Sequence, residues 1–257
     1  GGNMPASAIG AQLYTLRDFT KTPDDIRQTF VKVRGLGYEA VQASALGPIE
    51  PAELAAIGKD EGLKIVATHT SYQRICDEVQ AVIDEHHTWG CRHVAIGGLP
   101  QEYRNREGFS RFAAESSVAA RPLIDAGLTF SYHNHSFELE RFDGRTGLEI
   151  LCEESDPDVF SFEIDTYWIQ HGGGNPVTWL ERLRERMHIV HLKDMAMDGS
   201  KQLYAEVGEG NLEWEPIIAA CKKAGVEWYL IEQDTCQTDP FDCLGLSLRN
   251  LRAMGLT

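Results

Sequence analysis

The stretch "DAGLTFSYHNH", Asp125–His135, combines three signals in eleven residues. Gly127 follows an amphipathic segment and supplies the left-handed cap that a helix-to-strand turn favours. "LTFSYHNH" then reads as a strand, rich in β-formers, and His133, Asn134 and His135 gather where that strand ends. The same juncture recurs at Gly37 in "LGYEAV", Gly62 in "EGLKIV", Gly90 in "WGCRHV" and Gly225 in "AGVEWYL". One helix-glycine-strand joint is a local observation; five of them describe an architecture.

Working outward, eight strand-like runs appear: "IGAQLYTL", "YEAVQAS", "LKIVATHT", "RHVAIGG", "LTFSYHNH", "VFSFEID", "HIVHLKD" and "EWYLIEQD". Segments of helical period separate them. In "PDDIRQTFVKVRGLG", Ile26, Phe30, Val33 and Leu36 form one stripe behind a Thr22 cap and Pro23 at the first turn. "RNREGFSRFAAESSVAARPLIDAG" reads as a longer fourth helix. The alternation predicts one α/β domain over residues 4–257, a closed parallel (β/α)8 TIM barrel with outer helices, in units averaging about 32 residues. A doubly wound sheet is disfavoured because no glycine-rich nucleotide fingerprint follows the first strand. Gly1–Asn3, ahead of Met4, read as a vector-derived scar.

Composition narrows the partners. Of 257 residues, 42% are hydrophobic and 25% charged, the balance of a folded globular chain. Acidic residues outnumber basic ones 39 to 24, and the resulting charge of −15 opposes binding to nucleic acid or anionic membranes. No run approaches the roughly 20 apolar residues of a membrane span, and the N-terminal stretch lacks the features of a signal peptide. With six cysteines and no CxxC pair, the thiols read as reduced packing residues and the expected location is cytoplasmic.

In such a barrel the active site lies at the carboxyl ends of the strands. Gln12, Tyr14, Gln42, His69, His133, Asn134, His135, Asp165, His191, Lys193, Glu232, Gln233 and Asp234 all fall there. Because residues two apart share a strand face, His133 pairs with His135, Glu163 with Asp165, and His191 with Lys193. Ionised groups among the apolar neighbours of "FSFEID" and "HIVHLKD" are costly unless paired or bound to a cation. Carboxylates mixed with imidazoles suit Mn, Fe, Co or Zn, whereas all-oxygen sites suit Mg or Ca.

The motifs "YHNHSFELE", "FEIDTYWIQHGGGNP", "IVHLKDM", "VGEGNLEW" and "LIEQD", in this order, resemble the sugar phosphate isomerase/epimerase superfamily with the xylose isomerase-like barrel. The resemblance runs from "GAQLYTLRD" to "LIEQD" and implies one divalent metal ion, Mn first and otherwise Co, Fe, Zn or Mg. Carried over by position, its ligands are Asp165, His191 and Glu232. Many relatives place a glutamate near His133, where this chain has "HNH" followed by Glu138. Glu138 is taken as the fourth ligand because three carboxylates and one histidine keep the family's usual charge; His133 is the alternative.

The activity expected first is isomerisation or epimerisation of a small ketose or keto-polyol through an enediolate, with Glu138 and Glu232 moving the proton. The alternative is a metal-dependent lyase, dehydratase or hydrolase acting on a 3-keto-sugar, keto-glycoside or inosose, with protonated His135 donating to the leaving oxygen. Lys193 is placed on the keto or enolate oxygen, and His69, His133, Trp168 and Gln12 are expected substrate contacts. A DNA-repair nuclease on the same fold is disfavoured by Trp168, which stands where such relatives carry a ligand histidine, and by the acidic charge. The partner is therefore a small-molecule sugar, and kinship suggests a homo-oligomer.

Overall fold

A computed structural model describes residues 7–257; the scar reading of Gly1–Asn3 lies outside them. The chain alternates strand and helix as β1 (Ile9–Gln12), α1 (Pro23–Leu36), β2 (Ala40–Ala43), α2 (Pro51–Glu61), β3 (Lys64–His69), α3 (Tyr72–Asp77), α4 (Val79–Trp89), β4 (His93–Ile96), α5 (Arg106–Ala119), α6 (Arg121–Asp125) and β5 (Thr129–His133). It continues through a small hairpin, β6 (Arg141–Phe142) and β7 (Arg145–Thr146), to α7 (Gly147–Glu154), β8 (Phe160–Asp165), α8 (Thr166–His171), α9 (Pro176–Arg182) and β9 (Ile189–Leu192). A second hairpin, β10 (Asp194–Asp198) and β11 (Lys201–Ala205), precedes α10 (Trp214–Ala224), β12 (Trp228–Ile231) and α11 (Pro240–Ala253).

Eight strands close a parallel barrel in the order β1-β12-β9-β8-β5-β4-β3-β2, each within the run expected from the sequence. Gly37, Gly62, Gly90, Gly127 and Gly225 all take positive φ. At Gly62 the cap is explicit: its N–H donates to the Gly58 carbonyl as α2 ends, and β3 begins two residues later. The expected long fourth helix instead divides into α5 and α6 around Ala120, because Pro122 has no N–H to continue the α5 ladder.

Most apolar side chains pack between the strands and the outer helices. A separate small core fills the lower lumen, formed by Ala40, Val66, Ala67, Ala95, Ile189 and Leu230. Small residues are required there: a Cβ on Gly10 would come within 2.9 Å of the Leu230 Cδ2. Above this layer the same inward faces turn polar, with Gln42 two residues beyond Ala40, His191 beyond Ile189 and Glu232 beyond Leu230. The strands thus use one alternation both to plug the cylinder and to build its reactive end. Among the described residues, no helix is long and apolar enough to cross a membrane.

Candidate active site

His133 at the end of β5, Asp165 at the end of β8, His191 in β9 and Glu232 just after β12 each offer one donor atom, and the four atoms lie within 4.8 Å of one another. All four side chains are buried. The Asp165 carboxylate divides its oxygens: Oδ1 accepts from the Trp168 N–H and caps α8, while Oδ2 faces His133 Nε2 at 2.9 Å and His191 Nδ1 at 3.6 Å. Glu232 Oε1 is 3.5 Å from that same His191 Nδ1. His133 also donates Nδ1–H to the Gly97 carbonyl at 3.0 Å, so Nε2, which faces Asp165 Oδ2, is the nitrogen a bound metal would take.

The arrangement suits a divalent cation. The Nδ1 of His191 is buried without a hydrogen-bond partner. Glu163, Asp165, Glu232 and Asp234 bring four carboxylates to one end of the barrel, where Lys193 is, among the described residues, the one ammonium paired with them, at 2.9 Å from Asp165, 2.6 Å from Glu232 and 2.5 Å from Asp234. Burial opposes charge on His191, yet Glu163 and Glu232 outweigh it and hold its pKa well above the ordinary histidine value. Lys193 is likewise held well above its usual value, burial being overcome by Asp165, Glu232 and Asp234. Rings and ammonium are being drawn into compensating negative charge, the work a bound metal would take over. A second trio, His69, His133 and His191, is also close enough for an ion, but both nitrogens of His69 are engaged, Nε2 with Glu163 at 2.7 Å and Nδ1 with Gln12 at 3.3 Å.

Glu138, taken from sequence as the fourth ligand, is placed elsewhere. Its carboxylate accepts from the Tyr132 hydroxyl at 2.7 Å and from the His135 backbone N–H at 3.0 Å. Tyr132 alternates with the inward-facing His133, so a carboxylate tied to it is turned off the barrel axis. The four-donor group contains His133, the alternative read from sequence, and not Glu138. His135 stands beside His133, with ring centroids 5.0 Å apart, and against Trp168 at 5.5 Å. Burial, then the neighbouring His133, lowers its pKa to about 3, so the ring is neutral, where the sequence reading had it protonated.

Above the donors opens a cavity of about 1030 Å³, to which His69, His133, His135 and Glu232 contribute along with Asp234. Its far wall comes from the loops after β2, β3 and β4, including Tyr72, Cys76, Tyr103 and Arg104, residues that carried no motif in the sequence. Gln12 does not reach this space: it is fully buried, its Oε1 accepting from the Tyr14 N–H. Trp168 supports His135 from the side and lies under the Lys193 ammonium at 5.6 Å. Glu163, noted from sequence only for its strand face, is fully buried beneath the quartet and receives the Gln42 amide at 2.9 Å.

The neighbouring loop explains the "VGEGNLEW" motif. One carboxylate, Asp194, accepts from the backbone N–H groups of Met195, Gly208, Gly210 and Leu212 and from the Trp214 indole. A side chain at Gly210 would collide with the Met195 carbonyl and with Asp194 itself. The residue after Lys193 is thus a structural knot that fixes the loop between β11 and α10.

Residues 30–241 match the family described as xylose isomerase-like TIM barrel. The chain belongs to that family. This xylose isomerase-like barrel is 23% identical over 142 residues to an inosose dehydratase of Lacticaseibacillus casei, covering 46% of this chain and 45% of that protein. It thus spans about half the length of the first such relatives, although the match to the Geobacillus kaustophilus inosose dehydratase, 22% identical over 255 residues, covers 83% and 82%. A sugar phosphate isomerase/epimerase structure from Parabacteroides distasonis superposes with a TM-score of 0.84 at 21% identity, covering 98% of this barrel and 96% of that chain. The buried donor quartet and the family membership together are consistent with a divalent-metal site at this end of the barrel.

Proposed function

We propose that this barrel is a divalent-metal-dependent carbon–oxygen lyase that eliminates water or an alcohol from the β carbon of a keto-polyol or keto-sugar, an inosose being the first candidate. The observation that carries this reading is the direction of Glu138. Isomerisation by two opposed carboxylates needs Glu138 across from Glu232, and Glu138 is instead bonded to Tyr132 and the His135 N–H. What flanks the donors is the imidazole of His135. The similarity to inosose dehydratases points the same way.

His133, Asp165, His191 and Glu232 would hold the metal, which supplies a Lewis acid for the keto oxygen and so acidifies the adjacent C–H. Neutral His135 takes the α proton. The C–H electron pair becomes the new C=C bond, the β C–O bond breaks with its pair on oxygen, and His135 returns the proton to that oxygen. One group serves as base and then acid, so both bonds break on the same face. The Lys193 ammonium offsets negative charge at the carbonyl, and Trp168 keeps the His135 ring in place.

The test is incubation with an inosose in heavy water with Mn²⁺. Loss of one water per turnover, with appearance of an ultraviolet-absorbing conjugated enone, is the expected result, and His135→Asn should slow it by about 10²–10⁴-fold. Deuterium incorporation or epimerisation without loss of oxygen would return the assignment to an isomerase.

A further inference from the structure

His191 presents two nitrogens to different surroundings, and the chain must choose which one carries the proton. Nδ1 faces Asp165 and Glu232 and has no hydrogen-bond partner. Nε2 lies 2.7 Å from Gln42 Oε1 and 3.2 Å from Glu163 Oε1. The Gln42 amide cannot turn over to suit either state. Its NH₂ donates to Glu163 Oε2 at 2.9 Å and to the Thr68 carbonyl at 3.3 Å, both acceptors, so its oxygen must face His191.

The far end of the network is oriented by the same logic. Gln12 Oε1 accepts the Tyr14 N–H at 2.6 Å, which turns its amide NH₂ to His69 Nδ1 at 3.3 Å. His69 therefore carries its proton on Nε2 and gives it to Glu163 Oε1 at 2.7 Å. Glu163 is the common acceptor of two rows that converge from opposite sides of the lumen. Gln12, Gln42 and Glu163 are fully buried, so water cannot substitute for a missing member. The β2–β3 register shifts at Val41/Gln42, an irregularity that coincides with the Gln42 bond to the Thr68 carbonyl.

We propose that Gln42 is a positioning residue which, braced by Glu163, His69 and Gln12, pins the proton of His191 on Nε2 and so keeps a bare Nδ1 lone pair aimed at the metal. This rests on the metal-centre reading above. A ring with the opposite tautomer would turn an N–H toward the ion and could not bind it.

The experiment uses ¹⁵N-histidine-labelled whole protein titrated with Zn²⁺, a diamagnetic probe, with long-range ¹H–¹⁵N correlations to read each ring. In the wild type, His191 is expected to coordinate through Nδ1 and to keep an exchange-protected Nε2–H, and His69 to carry its proton on Nε2. Gln42→Met preserves shape but cannot accept from His191; it should lose the protected Nε2–H and weaken Zn²⁺ binding by about 10–100-fold. Gln12→Leu, three hydrogen bonds further out, should disturb His69 first and zinc affinity less. Coordination of His191 through Nε2, or unchanged affinity with a still-protected proton in Gln42→Met, would overturn the proposal while leaving the metal site intact. Should the wild type bind no zinc, the metal-centre reading fails separately, and exchange in the metal-free protein still decides the relay: a protected His191 Nε2–H supports it, and a freely exchanging Nε2–H overturns it. The wild-type spectra decide the matter even if Gln42→Met does not fold.

Discussion

Glu138 and His133 are separated by five positions and by the two sides of a strand, and substitution tells them apart. His133→Ala should strip bound metal, measured as stoichiometry by elemental analysis. Glu138→Gln should leave that stoichiometry intact while lowering the melting temperature through its bonds to Tyr132 and His135. The period of two made the inward direction of His133, Asp165 and His191 legible in the sequence. It said nothing of Glu138, whose direction is set by a turn folding back on an outward tyrosine rather than by any strand. Gln42 and Glu163 were visible as residues but not as a network, because the network's members come from five different strands, β1, β2, β3, β8 and β9. At the opposite end of the barrel, His93 is buried between Thr129 and Glu227, and burial lowers its pKa to about 4. Its folded value lies below the unfolded 6.5, so the unfolded chain binds the extra proton between those limits and stability is lost as pH falls from about 6.5 to 4. Urea unfolding at both ends of that window should show a smaller difference in His93→Gln than in the wild type.

The Asp194 knot ties β10, the loop after β11 and the first residue of α10 together through five donors. Asp194→Asn leaves one acceptor oxygen where two served and turns an amide NH₂ toward backbone donors. A loss of about 1–3 kcal/mol in unfolding free energy is expected, with faster hydrogen exchange confined to residues 195–214. Uniform exchange across the barrel would show that the knot is not local. The barrel strands and their glycine caps were readable because burial on both faces demands continuous β-forming runs and each return demands a left-handed turn. The two hairpins were not read, although each turns on a two-residue pair containing glycine, Asp143-Gly144 and Gly199-Ser200. Their strands of two and five residues lie outside the barrel, and no buried face imposed a pattern on them.

Across the whole molecule, the excess of buried carboxylates at one end predicts that a divalent cation bound there stabilises the fold. At a metal concentration of about 100 times its Kd, binding should add about 2.7 kcal/mol, roughly a 5–10 °C rise in melting temperature for a chain of this size. Chelation followed by calorimetry checks this, and an unchanged melting point would argue that Lys193 alone satisfies the carboxylates. The placement of cavity and donors has a further consequence. The ion-holding groups arrive from the later strands, β5, β8, β9 and β12, whereas the outer wall is supplied largely by the loops after β2, β3 and β4. Evolution, or an engineer, can therefore rewrite the outer parts of these loops, beyond His69 and Gly97, which brace Glu163 and His133, so that retargeting this scaffold is a matter of grafting three segments.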